Sequence, residues 1–303
     1  MTETGPTDAE PGALITTQLT GLIRLAGSGV RTAPSAVHDL RVTLKRLRAW
    51  VRLLRPAVQG RVDPKLLDQR FADTGRGLSV ARDEQVLSKA LRRLQGRAGG
   101  KDVRRIEAWR DELAASPRAE IPWDRVRAEL AVSAQMLHGI DWQAVSPEML
   151  IARLRATYRR TRRYGKRTLP QRGIDAERLH DLRKLVKRLT YQVEYVDTVF
   201  SVRHPSGAGL ARLGQSLGDL NDLLVLKSWL RDKGLKPKSQ LLKLVGKRIR
   251  RRRAVIRGQF DELFQSGSAR FVAPYRAARP RLAARPGSTG TVALRVVPAT
   301  PVR

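Results

Sequence analysis

Apolar residues recur at the spacing of an amphipathic α-helix along nearly the whole chain, whereas the alternation typical of a β-strand is hard to find before the last few residues. The pattern therefore predicts an all-α protein. Proline and glycine steps separate the predicted helices. These helices cover roughly residues 12–28, 35–55, 63–79, 81–96, 101–115, 123–139, 147–166, 175–199, 207–217, 219–233 and 238–265.

The helical pattern ends at about residue 266. Residues 266–303 are rich in Arg, Pro and Ala and have little apolar surface to bury, a composition typical of disorder. We therefore predict a folded region at residues 10–265, followed by a disordered basic tail at residues 266–303.

One motif occurs twice in the sequence. The first motif, "VHDLRVTLKRLRAW" at residues 37–50, and the second motif, "LHDLRKLVKRLTYQ" at residues 179–192, share a His followed by Arg and Lys at the same spacing. A pair of repeated segments comes later in each half in the same order, "LSVARDEQVL" at 78–87 and "LGDLNDLLVL" at 217–226. The chain is therefore interpreted as two homologous helical halves, residues 10–142 and 146–265, each of which must bundle to bury its apolar faces.

On a helical wheel, the first motif and the residues after it separate charge from apolar side chains. The basic arc consists of His38, Arg41, Lys45, Arg48 and Arg52. The second motif repeats only the first three positions, as His180, Arg183 and Lys187, and continues with Thr190 and Glu194. We therefore expect the second basic stripe to be the weaker one, so that reversing Arg41 and Lys45 has the larger effect on binding.

Two further predicted helices carry basic stripes. The stripe on helix 147–166 consists of Arg155, Arg159, Arg162 and Lys166. The basic face of the last long helix consists of Lys247, Arg250, Arg251 and Arg257, widened by Arg248, Arg252 and Arg253. Like charges four residues apart destabilise a helix by about 0.2–0.5 kcal/mol per pair, so rows without acidic partners predict a bound anion. The guanidinium fork of Arg suits phosphate oxygens.

Composition narrows the class of partner. The chain has 60 Lys and Arg against 28 Asp and Glu, a formal net charge of +32, which favours nucleic acid, an anionic membrane or a phosphate polymer. It has no cysteine, which excludes disulfides and thiolate metal sites. No secretory signal pattern or membrane-spanning apolar run is present, so we expect a soluble cytoplasmic protein.

The repeated motif resembles the hallmark of the CHAD family, the conserved histidine α-helical domain, in which His-x-x-Arg-x-x-x-Lys occurs once in each of two helical halves. The matching residues are His38, Arg41, Lys45, His180, Arg183 and Lys187. Residues 78–87 and 217–226 resemble the second family signature, with Asn221 in the second half where the first half has Arg82. The chain lacks the Glu-x-Glu-x-Lys strand of the triphosphate tunnel domain that many relatives carry, so it looks like the stand-alone form.

The resemblance implies two similar antiparallel bundles, of about four long helices each, related by a pseudo-twofold axis. It also implies a central basic surface that binds inorganic polyphosphate and can direct the protein to polyphosphate granules. The resemblance thus adds a specific ligand to the charge pattern.

The leading hypothesis is a non-catalytic module in which the basic stripes wrap a phosphate polymer. The alternative is sequence-nonspecific nucleic-acid binding, for which charge alone is adequate evidence. A polyphosphate hydrolase or kinase is the third class, but carboxylates for Mg²⁺ and a glycine-rich phosphate loop are not evident. We therefore expect no catalytic residue, metal site or cofactor, and we expect His138 and His204 to be structural or incidental.

Overall fold

The structure is a computed structural model that describes residues 11–27, 34–78, 80–115, 120–170 and 175–283. These ranges form α-helices joined by short connections, with one 3-10 turn at Trp142–Ala144 and no β-strand within them, which confirms the all-α prediction. The helices are α1 (Pro11–Gly27), α2 (Pro34–Leu53), α3 (Arg55–Gln59), α4 (Pro64–Gly77), α5 (Val80–Gln95), α6 (Gly100–Ala115), α7 (Trp123–Leu137), α8 (Pro147–Thr168), α9 (Ala176–Phe200), α10 (Gly207–Asp232), α11 (Gln240–Phe264), α12 (Ser268–Phe271) and α13 (Ala273–Ala283).

Several helices begin at residues whose side chains cap the first turn. A side-chain oxygen accepts a hydrogen bond from a backbone N–H two or three residues later, which satisfies one of the donors that the helix leaves open. The capping residues are Asp63 for α4, Ser146 for α8, Asp175 for α9 and Ser239 for α11.

Pro56, the second residue of α3, causes the break between α2 and α3. Proline has no N–H, so the carbonyl of Arg52, four residues earlier, cannot receive its usual helical hydrogen bond. Arg153 of α8 supplies a replacement, since its Nη2 donates to the Arg52 oxygen over 2.9 Å. The break in the helix therefore becomes a contact between the first half of the chain and α8.

The helices assemble into two groups. Helices α1, α2, α4 and α7 pack against one another as the N-terminal group, and α8, α9, α10 and α11 pack in sequence order as the C-terminal group. Gly165 of α8 lies directly under the ring of Phe260 of α11, which brings these two helices together as well. Helix α2 packs on α9 between the groups, and one apolar core contains buried residues from both.

Helices α5 and α6 form an arm that packs on the C-terminal group. The arm contacts α10, although in the sequence it belongs to the first half. Trp109 of α6 meets Trp229 of α10 edge to face, with ring centroids 5.3 Å apart. Lys233, just after α10, also pairs with Glu112 of α6 at 2.5 Å. The arm therefore links the two halves.

Two predicted boundaries are wrong. The predicted helices 207–217 and 219–233 are one helix, α10, in which Gly218 is helical rather than a break. The folded region also continues past residue 265, because α12 and α13 bury Phe271, Val272 and Tyr275 against the core. These few apolar residues are dispersed among Arg, Ala and Pro, so the composition concealed them. The predicted disorder of residues 284–303 lies outside the described residues.

Candidate functional site

The two repeated motifs lie on α2 and α9, and a matched pair of hydrogen bonds joins these helices. Trp50 Nε1 donates to the backbone oxygen of Tyr191 over 3.0 Å, and Gln192 Nε2 donates to the backbone oxygen of Ala49 over 2.9 Å. Trp50 and Gln192 occupy the same position in their motifs, as do Ala49 and Tyr191. Each motif therefore supplies a side-chain donor and a backbone acceptor from matching positions. A local twofold axis between the two helices would produce this relation.

A cluster of charges lies beside this junction. Arg46 Nε of α2 forms a salt bridge with Glu194 Oε2 of α9 over 3.2 Å. The Arg46 guanidinium and Lys187 Nζ lie 5.7 and 5.8 Å from the centre of the Tyr191 ring, within the range of cation–π attraction. Cations of both halves thus meet at one aromatic ring.

The environment of Lys187 disfavours its positive charge. Burial lowers the pKa of Lys187, and the nearby Arg183 guanidinium lowers it further, while Glu194 acts in the opposite direction. Burial also raises the pKa of Glu194, against the effect of Arg46. A second anion next to Lys187 would relieve the repulsion, so this is a position at which an anionic ligand gains binding energy.

The second motif lies flat along α10 because α10 has glycines beneath it. A Cβ at Gly214 would come within 3.2 Å of Lys187 Cε, and a Cβ at Gly218 would meet Arg183 Nε at 3.5 Å. His180 Nδ1 lies 3.3 Å from Asn221 Oδ1 on the same helix. The repeated segment at 217–226 therefore supports the second motif. Gly214 lies before that segment, and the sequence pattern did not identify it.

The first motif rests on α4 in a comparable way. Arg41 Nη1 donates to the backbone oxygen of Gly75 over 3.3 Å. Gly75 and Gly214 are equivalent positions, since each comes three residues before the leucine that opens its repeated segment. His38 is exposed and Lys45 is half-buried. The side chains of residues 80–85, which include Arg82, lie outside the described part of the structure.

The outer two residues of the first stripe bind one carboxylate, so part of their charge is already neutralised within the protein. Arg48 and Arg52 each use two guanidinium nitrogens to bind Asp68 of α4, with closest distances of 3.1 and 2.6 Å. Burial opposes ionisation of Asp68, but the two arginines more than offset it, and its pKa lies below the usual value. The predicted length advantage of the first stripe is therefore reduced, because one carboxylate cancels one of the two positive charges.

Comparing the halves could have revealed this pairing. At the positions equivalent to Arg48 and Arg52 the second half has Thr190 and Glu194, and at the position equivalent to Asp68 it has Gly207. The basic residues and their carboxylate thus disappear together, as expected for a structural ion pair that only one half has.

The predicted stripe on α8 serves the C-terminal segment. Arg162 Nε donates to the backbone oxygen of Phe264 over 2.7 Å, and Arg155 Nε donates to Ser268 Oγ over 3.1 Å. A helix leaves its last carbonyls without partners, and Arg162 satisfies one of them at the end of α11. Arg159 and Lys166 are exposed. Half of this stripe is therefore structural.

The basic face of α11 is divided in the same way. Lys247, Arg250 and Arg251 are exposed, whereas Arg248 and Arg252 point towards neighbouring helices. Arg248 Nη1 lies 3.5 Å from the backbone oxygen of Arg93 in α5, and Arg252 Nη2 lies 3.2 Å from Asp219 Oδ2 in α10. The three predicted site residues of α11 thus point to solvent, and the more enclosed arginines lie beside them.

The remaining histidines stand apart from the motifs. His204 is buried, with Nε2 2.7 Å from the backbone oxygen of Phe271 and Nδ1 accepting from the N–H of Ser206, so it holds the C-terminal segment in place. His138 is exposed at the end of α7. Within the described ranges, no group of three or more His, Asp or Glu side chains is placed to hold a metal ion. No helix in those ranges combines the length and apolar character needed to cross a bilayer.

Residues 14–231 match the family model of the CHAD domain. The match covers more than half of the chain and includes both motifs, both repeated segments and the glycines of α10. It ends within α10, so α11, α12 and α13 lie beyond it. Neither a curated protein nor a solved structure matches the sequence.

Proposed function

The chain belongs to the CHAD family, and on that premise we propose that it binds inorganic polyphosphate and catalyses no reaction. The family is associated with this polymer, and the formal net charge of +32 suits a polyanion. The observation that carries the proposal is the matched pair of hydrogen bonds between α2 and α9. These bonds fix the basic residues of one motif relative to those of the other, as a single extended ligand requires.

The proposed contact residues are the His, Arg and Lys that the two motifs share. They are His38, Arg41, Lys45, His180, Arg183 and Lys187. We extend the local twofold relation of α2 and α9 to the two helix groups, so that the motifs form equivalent halves of one binding surface. Arg48 and Arg52 are left out because Asp68 already binds them.

Polyphosphate suits this surface better than nucleic acid does. Each phosphate of the polymer carries charge with no sugar or base between neighbours, so closely spaced Arg and Lys side chains can each find an oxygen. Single-stranded nucleic acids usually also stack on exposed aromatic rings. Trp50 and Trp109 are instead buried in helix contacts. Affinity should fall steeply with added salt, because binding releases counterions.

A competition experiment separates the two ligands. Labelled long-chain polyphosphate is bound to the protein and titrated with unlabelled polyphosphate or duplex DNA at equal phosphate concentration and fixed ionic strength. We expect polyphosphate to displace the label at far lower concentration than DNA. Equal displacement would support the nucleic-acid function instead.

Catalysis is tested separately. The protein is incubated with long-chain polyphosphate and Mg²⁺, and free phosphate is measured over time. We expect no release above that of a protein-free control, because the proposed contacts supply cations without a metal-binding carboxylate set. Steady release proportional to protein concentration would show an enzyme. Association with polyphosphate granules in the cytoplasm is part of the proposal, and a fluorescent fusion that stays diffuse in granule-containing cells would contradict it.

A further inference from the structure

Four arginines converge where the α5–α6 arm meets α10 and α11. Arg97 Nη1 lies 3.3 Å and Arg248 Nη1 lies 3.5 Å from one acceptor, the backbone oxygen of Arg93. The side chain of Arg93 is close enough for its charge to act on Arg248. Arg252 follows Arg248 by one helical turn of α11, which places it beside the same site. We name these four residues the arm cluster.

One carboxylate meets the arm cluster. Asp219 Oδ2 lies 3.2 Å from Arg252 Nη2, while the other oxygen, Oδ1, accepts from Gln215. Among the side chains that the structure describes, four guanidinium groups and this one carboxylate leave a local excess of positive charge. Arg248 and Arg252 are only partly exposed, so water screens this charge less than on an open surface.

The charges around Arg248 agree with this excess. Burial lowers its pKa, and the charges of Arg97, Arg93 and Arg252 lower it further, with Asp219 acting in the opposite direction. The other contacts of the arm are favourable, since Trp109 packs on Trp229 and Glu112 pairs with Lys233. The arm is thus held well at one place and repelled at another.

We propose that the arm cluster is a binding site for a phosphoryl anion, separate from the two motifs, and that its occupation fastens the α5–α6 arm to α10 and α11. Guanidinium groups that lie together around one acceptor can bind the oxygens of a phosphate through paired hydrogen bonds. A bound dianion reduces the excess of three positive charges to one at the junction of three helices. The site includes no residue of either motif, so this proposal can fail while the proposed polyphosphate surface is correct, and the reverse.

Pyrophosphate is the probe, because it is compact and carries several charges. Calorimetric titration compares the wild type with Arg97→Gln/Arg248→Gln and with the control Arg250→Gln/Arg251→Gln, which removes the same charge from the exposed face of α11. We expect the arm-cluster variant to bind about tenfold or more weakly, since hydrogen bonds to charged groups are lost, and the control to change by about twofold or less. Equal losses in the two variants would overturn the site.

Two further variants distinguish the arm cluster from a structural ion pair and from the second motif. Asp219→Asn removes the competing carboxylate, so it should tighten pyrophosphate binding. If Asp219 served only to hold the arginines in place, the same substitution would weaken binding. Arg183→Gln/Lys187→Gln removes pyrophosphate contacts at the proposed polyphosphate surface, so the titrations are repeated in that background. The arm-cluster substitutions should weaken the remaining binding there as well, and no further loss would place the anion on the second motif instead. Arg97→Gln alone, at an exposed position, gives the same test if the double variant does not fold.

Fastening of the arm is measured by hydrogen exchange. Pyrophosphate should slow amide exchange across residues 80–115 in the wild type and in the control, and leave it unchanged in the arm-cluster variant. Exchange that is unaffected by pyrophosphate in the wild type would overturn the clamping role. Titration with long-chain polyphosphate identifies the natural source of the group: weaker binding by the arm-cluster variant indicates a segment of the polymer, and unchanged binding indicates a free phosphate compound.

Discussion

The two motifs carry the same His, Arg and Lys but differ in the residues that continue each stripe. On α2 the stripe continues with Arg48 and Arg52, and Asp68 of α4 binds both. On α9 it continues with Thr190, which donates to the Val186 carbonyl, and with Glu194, which reaches across to α2. Asp68 therefore cancels one of the two extra positive charges of the longer stripe and occupies both guanidinium groups. A row of basic residues predicts binding capacity only after its internal ion pairs are subtracted.

The second difference lies beneath the motifs. The second motif, on α9, packs against an uninterrupted helix, α10, where Gly214 and Gly218 admit the side chains of Lys187 and Arg183. The first motif, on α2, packs against α4, which ends at Gly77, and the chain then continues into the arm. We therefore expect the second motif to be the more rigid of the two, and the first to tolerate changes beneath it more easily.

The largest effect on stability is expected at the matched hydrogen bonds. Trp50→Phe removes the donor to the Tyr191 carbonyl and some packing, and should lower the free energy of unfolding by about 2–3 kcal/mol. Gln192→Met should cost less, about 1 kcal/mol, because Gln192 Oε1 is buried without a hydrogen-bond partner and its removal is favourable. Denaturant unfolding measures both. A larger cost at Gln192 would contradict the comparison.

Asp68→Asn tests the ion pair that separates the two stripes. It should lower the free energy of unfolding at neutral pH by about 1–2 kcal/mol, since the two arginines are partly exposed and can rehydrate. It should also raise polyphosphate affinity several-fold, because Arg48 and Arg52 become available. Asp73→Asn, the same charge change on α4, is the control. Equal gains in affinity from both variants would show a general charge effect.

The same pair predicts a pH dependence. The pKa of Asp68 is below its usual value, so its contribution to stability is present above the pKa of the unfolded chain and is lost as the pH falls through the folded value. The wild type should therefore lose stability in acid more steeply than Asp68→Asn. Parallel curves of the free energy of unfolding against pH would contradict this.

We expect a smaller effect of alkaline pH on polyphosphate affinity, through Lys187. Because its pKa is lowered by burial and by Arg183, it loses its proton at a lower pH than an ordinary lysine. Polyphosphate affinity should fall as the pH rises through that lowered pKa. Lys187→Arg should flatten the decline, since arginine stays charged. The control Lys247→Arg, on the exposed face of α11, should leave the decline unchanged. Binding titrations across this pH range measure the decline. The same decline in Lys187→Arg and Lys247→Arg would contradict the account.

The smallest effect comes from the equivalent glycines. Gly75→Ala adds a methyl group at ordinary contact distance from Leu44, so it should stabilise the helix by about 0.5–1 kcal/mol and leave affinity unchanged. Gly214→Ala crowds Lys187 and should weaken polyphosphate binding by about twofold to threefold, with a smaller gain in stability. The two variants, compared by thermal unfolding and by titration, would contradict the account if their affinities matched.

Much of the architecture could be predicted from the sequence because each long helix carries its own apolar stripe. The repeated motif also identified α2 and α9, which pack together. The ion pair of Arg48 with Asp68 was missed because it depends on the placement of α4 against α2, and only the joint absence of both residues from the second half indicates it in the sequence. The short final helices were missed because Phe271 and Tyr275 are too few to produce a periodic pattern.

The central claim is that the two motifs, rather than net charge, bind the polymer. The most direct test measures polyphosphate affinity at one ionic strength for three variants with the same charge change: Arg41→Glu/Lys45→Glu, Arg183→Glu/Lys187→Glu and the control Arg250→Glu/Arg251→Glu. We predict losses of about a hundredfold or more for both motif variants, and about tenfold or less for the control. Three equal losses would contradict the account.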